Sequence, residues 1–162
     1  MMNRRSATMA VLVLMLLVLS GCRYSNPNRL SYYDDDARIA QQGDSYTFSN
    51  RLGRTVANEL ALSFTDFTGK QTIWLIPAGQ DCVLELDLNN EITGGKFKVC
   101  LIDPNRQVSV ISEGSQTGTI NLNIPKGENV LTIVGSKASG TVAMTLRYDS
   151  RAAIIPYEYL LR

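Results

Sequence analysis

Between residues 45 and 148 the chain is written in short alternating segments, broken at intervals close to ten by residues that turn. That punctuation directs it into an all-β fold, a sandwich or barrel. Tyr46 and Phe48 alternate with polar neighbours, as do Leu60, Leu62 and Phe64 within 59–67. A turn at Thr68-Gly69-Lys70 then leads to a strand at 71–76, which Pro77-Ala78-Gly79 ends. Strands at 81–88 and 96–102 follow, joined through 89–95, where Gly94-Gly95 permits positive φ. Asp103-Pro104-Asn105 turns the chain into 107–112, and 119–124 sets Ile120, Leu122 and Ile124 against Asn121 and Asn123. After Pro125 the continuous apolar run 129–134 suits a strand covered on both faces, and 136–140 turns it into 141–148. Residues 51–62 can also be read as a short helix. The spacing predicts eight or nine strands in a mostly antiparallel, jelly-roll-like sandwich of two sheets.

The N-terminus carries a different signal. Arg4 and Arg5 precede an apolar run from Ala10 to Leu19 that closes on Leu19-Ser20-Gly21-Cys22. A basic start, an apolar centre and small residues before a cut make a secretory signal. Counted from Ala7 to Leu19 the run has 13 residues with Thr8 inside, short of the roughly 20 that a spanning helix needs. Leu19-Ser20-Gly21-Cys22 resembles the lipobox of bacterial lipoprotein precursors. The resemblance implies cleavage between Gly21 and Cys22, lipid on the Cys22 sulfur, and attachment to the extracytoplasmic face of the cell membrane. Where the host has two membranes, Arg23 in place of aspartate resembles the pattern sent to the outer one.

Four stretches result: a signal peptide at 1–21, the lipidated end and a tether at 22–43, a β-sandwich at 44–150, and a C-terminal tail at 151–162. The polar tether, with Asn26-Pro27-Asn28 and Asp34-Asp35-Asp36, reads as mostly mobile linker, with a short helical turn possible in 34–42 before Gly43. The tail, Ile154-Ile155-Pro156-Tyr157-Glu158-Tyr159-Leu160-Leu161, is apolar for a terminus and is expected to dock on the sandwich.

Composition then removes whole classes of function. The 16 basic side chains fall to 14 once Arg4 and Arg5 leave, against 15 acidic, so there is no electrostatic footprint for nucleic acid. Histidine is absent. With it go the commonest general base, a principal zinc ligand and the usual partner of a nucleophilic Ser or Cys.

With Cys22 lipidated, Cys82 and Cys100 remain. Cys82 shares a strand face with Leu84, Leu86 and Leu88, whereas the apolar face of 96–102 is Phe97, Val99 and Leu101, which turns Cys100 outward. A bond between them would have to cross the sheet, beyond disulfide reach unless a bulge resets the parity.

The mature chain resembles a family as well. Ile76-Pro77-Ala78-Gly79, Gly95-Lys96-Phe97-Lys98-Val99 with Leu101-Ile102-Asp103-Pro104, and Ile124-Pro125-Lys126-Gly127-Glu128-Asn129 with Ile133-Val134-Gly135 look like the small β-sandwich domains of Gram-positive surface lipoproteins. The resemblance covers residues 59–148 and implies fold and address without an activity.

Candidate sites are few. Asp87, Asn89 and Glu91 offer oxygens for a structural calcium near one predicted loop, although no recognised calcium spacing is present. Trp74, Tyr46 and Tyr148 are the aromatics that could contact a sugar. Gly114-Ser115-Gln116-Thr117-Gly118 is too loose for a nucleophile elbow. No cofactor and no enzymatic activity are expected. The leading expectation is a non-catalytic, membrane-anchored module that binds or scaffolds an envelope protein or glycan. The alternatives are a carbohydrate-binding module and, in a third class, a hydrolase using two carboxylates facing a cleft.

Overall fold

The computed structural model describes residues 32–158. The signal peptide, Cys22 and the tail residues Tyr159, Leu160 and Leu161 lie outside them. The described residues form eight strands: β1 (Ser45–Thr47), β2 (Asn50–Val56), β3 (Glu59–Ala78), β4 (Cys82–Ile102), β5 (Val108–Glu113), β6 (Gln116–Ile124), β7 (Gly127–Leu146) and β8 (Ile155–Pro156). All pairings are antiparallel. The all-β, antiparallel expectation holds. In place of two sheets, however, the hydrogen bonds make one, with β3, β7 and β4 at its centre.

The difference lies in three of the predicted turns. Residues 68–70, 89–95 and 136–140 do not reverse the chain; they lie inside β3, β4 and β7, each 20 or 21 residues long. The irregularities line up across the sheet. Phe64, Gly140 and Ile92 form one cross-strand row, and Gly69, Gly135 and Phe97 the next, with register shifts between the two rows on both ladders. β-bulges bend and twist the strands that carry them, so three adjacent irregularities crease the sheet along one line. Gly95 shows why this line is rich in glycine. It has φ +69, and a Cβ there would stand 2.1 Å from the Lys137 carbonyl oxygen.

Beyond the crease the sheet doubles over on itself. Trp74 donates from Nε1 to the Ala57 carbonyl at 2.7 Å, although a straight strand would hold residues so far apart by roughly 55 Å. Asn90, in the first half of β4, likewise donates to Ser112 Oγ, which pairs with the second half, at 3.2 Å. Between the halves lies one core, with Leu60, Leu62 and Phe64 of β3, Leu84, Leu86 and Leu88 of β4 and Leu131 and Ile133 of β7 all buried. Phe64 stacks on Phe97, with ring centroids 5.6 Å apart.

A second, smaller cluster sits outside the sheet. Cys100, Ile102 and Val134 point away from the main core and are covered by Tyr33 and Ile39. Residues 32–43, expected as mobile tether, are therefore partly a strap on the domain. Asp35 caps the one-turn helix Asp36–Ile39 by accepting from the Arg38 amide at 3.0 Å. Burial of Ile39 and Tyr33 supplies about 1.5–3 kcal/mol each, which offsets the ordering of so polar a stretch. The outward face of 129–134 is apolar because the strap lies on it. At the other terminus β8 pairs with β3 at Trp74 and Leu75, and Arg51 holds Glu158 in a 2.7 Å ion pair.

Candidate functional site

Doubling the sheet brings both ends of each long strand to the side opposite the crease, where the true turns gather. Ion and hydrogen bonds tie these turns together. Asp81 accepts from the Lys126 amide at 2.7 Å, and the Gly79 amide donates to the Arg151 carbonyl at 3.0 Å. Asp103 closes its own turn by accepting from the Gln107 amide at 2.7 Å. Asp149 is held by Arg151, and those hydrogen bonds lower its carboxyl to about 2.

Two clefts open at this end. The first, of about 500 Å³, lies between the halves and is lined by Cys82 and Val83 from one end of β4 and Leu101 from the other, with Ser109 and Asn123 beside them. The second, of about 420 Å³, lies on the outer face between the strap and the 103–106 turn. Asp103 lines both.

The second cleft contains a buried lysine. Lys70 is 2% exposed, and its ammonium donates to the carbonyls of Ile39, at 3.1 Å, and Gln41, at 2.5 Å. It thereby closes the C-terminal end of the strap's helix, where cations are favoured. Burial lowers its pKa, Asp44 opposes that shift, and Arg106 adds to it. Arg106, with φ +65, reaches back to the Ala40 carbonyl at 2.5 Å. Neither cation stood out in the sequence. Lys70 and Asp103 read there as turn residues, and only the strap's position gives Lys70 a role.

The candidates named from sequence are scattered. Trp74 is wholly buried, because the bulge between Thr72 and Trp74 lets it and Ile73 both face inward. It cannot serve as a sugar platform. Tyr46 (42% exposed) stands on β1 opposite Gly69, at the crease, and Tyr148 (65% exposed) lies beyond β7. The structure does not bring them together.

Asp87, Asn89 and Glu91 lie along one face of β4 instead of in a loop. Same-face positions on a strand are about 6.6 Å apart, so a single ion is not reached by all three. Asp87 is already engaged: Thr119 and Arg147 donate to it, at 2.5 and 3.1 Å, and the Thr119 bond chiefly lowers its pKa. Asn89 accepts from Thr117 Oγ1 at 2.9 Å. Among the described residues no group of three or more His, Cys, Asp or Glu is placed to hold a metal.

Both described cysteines are free. Cys82 belongs to the main core. Cys100, expected to face outward, does leave the main core but lies under the strap, and burial pushes its thiol up to about 12.

No family model matches the chain, and no curated protein does. Among solved structures, the xylan-binding CBM22-1 domain of Paenibacillus barcinonensis Xyn10C is similar over 72% of this chain and 86% of that one, with 10% identity and a TM-score of 0.31.

Proposed function

We propose that this chain is a lipid-anchored extracytoplasmic protein whose non-catalytic β-domain binds an envelope partner, protein or glycan, through its loop end. The observation that carries the reading is the domain's polarity. The strap enters at the crease, where Tyr33 meets the Phe97 carbonyl at 3.3 Å and Glu113 at 2.6 Å, while the first cleft opens at the opposite end and the second runs along the outer face from Lys70 toward it. Nine residues lie between Cys22 and Tyr32, and the span reaches at most about 35 Å. An anchor at Cys22 would thus attach the domain through the strap.

In-cell photo-cross-linking tests this. Probes at Ser109 and Asn123, on the first cleft, should capture an envelope component that a probe at Lys137, in the crease, does not. Equal capture from both ends, or none from the loop end, contradicts the reading.

A second reading has one observation behind it. Asp81 and Asp103 line the same cleft, and a pair of carboxylates is what glycoside hydrolysis needs. Each already holds a backbone amide of the turns with Oδ1, which suits shaping the rim. Reducing ends released from wall glycan by the protein and not by Asp81→Asn or Asp103→Asn would put hydrolysis first.

A further inference from the structure

Two cations, Lys70 and Arg106, line the outer cleft, and neither is drawn into a close ion pair. Ion pairs among the described residues engage Arg51, Lys96, Lys98, Arg147 and Arg151, but neither Lys70 nor Arg106. The Lys70 ammonium has three N–H donors and two carbonyl acceptors, which leaves one donor unpartnered on a side chain that is almost wholly buried. Asp44, whose charge favours the ammonium, spends Oδ1 on the Thr72 amide, at 2.9 Å, and the Thr72 hydroxyl, at 2.7 Å. Asp103, which accepts from the Gln107 amide, and the exposed Glu128 line the cleft as well, without an ion pair to Lys70. A buried cation with a donor left over, beside a second cation, is an arrangement that an arriving anion stabilises.

The rest of the cleft limits what the anion can be attached to. Leu75, Ile102 and Val130 supply an apolar floor and Tyr157 an aromatic wall, while Thr72 and Gln41 supply polar edge groups. The volume, about 420 Å³, is in the range of small-ligand sites. An apolar ring face, hydroxyls and one carboxylate together match these walls; a bare inorganic ion leaves the floor and Tyr157 unused.

We infer that this cleft binds a sugar acid, with its carboxylate between Lys70 and Arg106 and one ring face on Leu75, Ile102 and Val130. The inference rests on the binding-module reading and names a ligand class for its loop end. The strap forms part of the wall, so occupancy also fastens the strap.

The test uses the full chain purified from membranes in a non-ionic detergent, titrated with D-glucuronate, D-glucose and inorganic phosphate and followed by ligand-observed NMR. Glucuronate should bind saturably, and raising the salt should weaken it. Glucose and phosphate should not bind. Lys70→Met also removes the hold on the strap, so the deciding variant is the exposed Arg106→Gln, expected to weaken glucuronate at least tenfold while the protein stays folded, with a melting temperature lowered by no more than a few degrees for the lost Ala40 contact. Absence of saturable glucuronate binding, phosphate binding as tight as glucuronate, or an unaffected Arg106→Gln overturns the inference. Loop-end cross-links alongside failed titrations would sink the ligand class alone, whereas titrations that succeed without loop-end cross-links would sink the envelope-partner reading alone.

Discussion

The indole nitrogen of Trp74 donates a 2.7 Å hydrogen bond to the carbonyl of Ala57, seventeen residues earlier, and so joins the two halves of the doubled sheet across their open side. Trp74→Phe should cost about 1–3 kcal/mol, since it removes this hydrogen bond and part of the volume of a fully buried side chain, and Trp74→Ala about 3–5 kcal/mol. Urea melts give both values. Because Trp74 is the chain's one tryptophan and wholly buried, its emission should stay blue-shifted and unmoved by added polysaccharide. A shift in the folded protein would contradict its placement.

Adjacent glycines give a matched test of the crease. A Cβ on Gly94 meets nothing within 4 Å, whereas one on Gly95 collides with Lys137 backbone at positive φ. Gly94→Ala should leave stability within about 1 kcal/mol of wild type. Gly95→Ala should lose about 2–4 kcal/mol, as local strain joins a backbone clash. Equal effects at the two positions would mean that the sheet does not fold along this line.

Strap and thiol report on each other. Ile39 is fully buried against the cluster that holds Cys100, so Ile39→Ala should destabilise the strap by about 2–4 kcal/mol. Alkylation of Cys100 in a Cys82→Ala background should then accelerate at least tenfold while the far-UV spectrum is kept. An unchanged rate would show that the strap does not shield the thiol.

Alkaline pH should loosen the same cluster. Burial raises Cys100 to about 12 from the ordinary thiol value of 9.0, so the folded state keeps its proton where the unfolded chain loses it. The unfolded state then binds fewer protons, and stability falls as pH rises from 9 toward 12, by up to about 1.4 kcal/mol per pH unit. Tyr33, raised by burial and by Glu113, acts in the same direction above pH 10. Lys70, lowered by burial, acts in the opposite one. Comparing denaturant midpoints of wild type and Cys100→Ala isolates the thiol: the slope between pH 9 and 12 should be shallower in the variant.

Much of the fold was legible because strand alternation is a local signal. Leu60, Leu62 and Phe64, or Leu84, Leu86 and Leu88, announce their face whatever lies further along. Gly94-Gly95 shows where such reading fails. Glycine marks any place where the backbone leaves ordinary φ, and a crease within a strand uses the same residues as a reversal. What separates them is pairing with Lys137 and Ala138, more than forty residues away. The strap escaped notice for a related reason: Tyr33 and Ile39 sit in polar text, and their apolar complement is the outward face of β4 and β7. The continuous run at 129–134 was the one visible trace of it. Lys70 and Arg106 gave no signal, since an ammonium between two carbonyls is a property of three segments at once.

The central proposal is the anchor, since lipid at Cys22 would set the compartment in which the domain works. Mass spectrometry of the amino terminus of protein recovered from its own host's membranes tests it directly. It should show a chain beginning at Cys22 and carrying a diacylglyceryl thioether. An unmodified Cys22, or a chain still beginning at Met1, would contradict it.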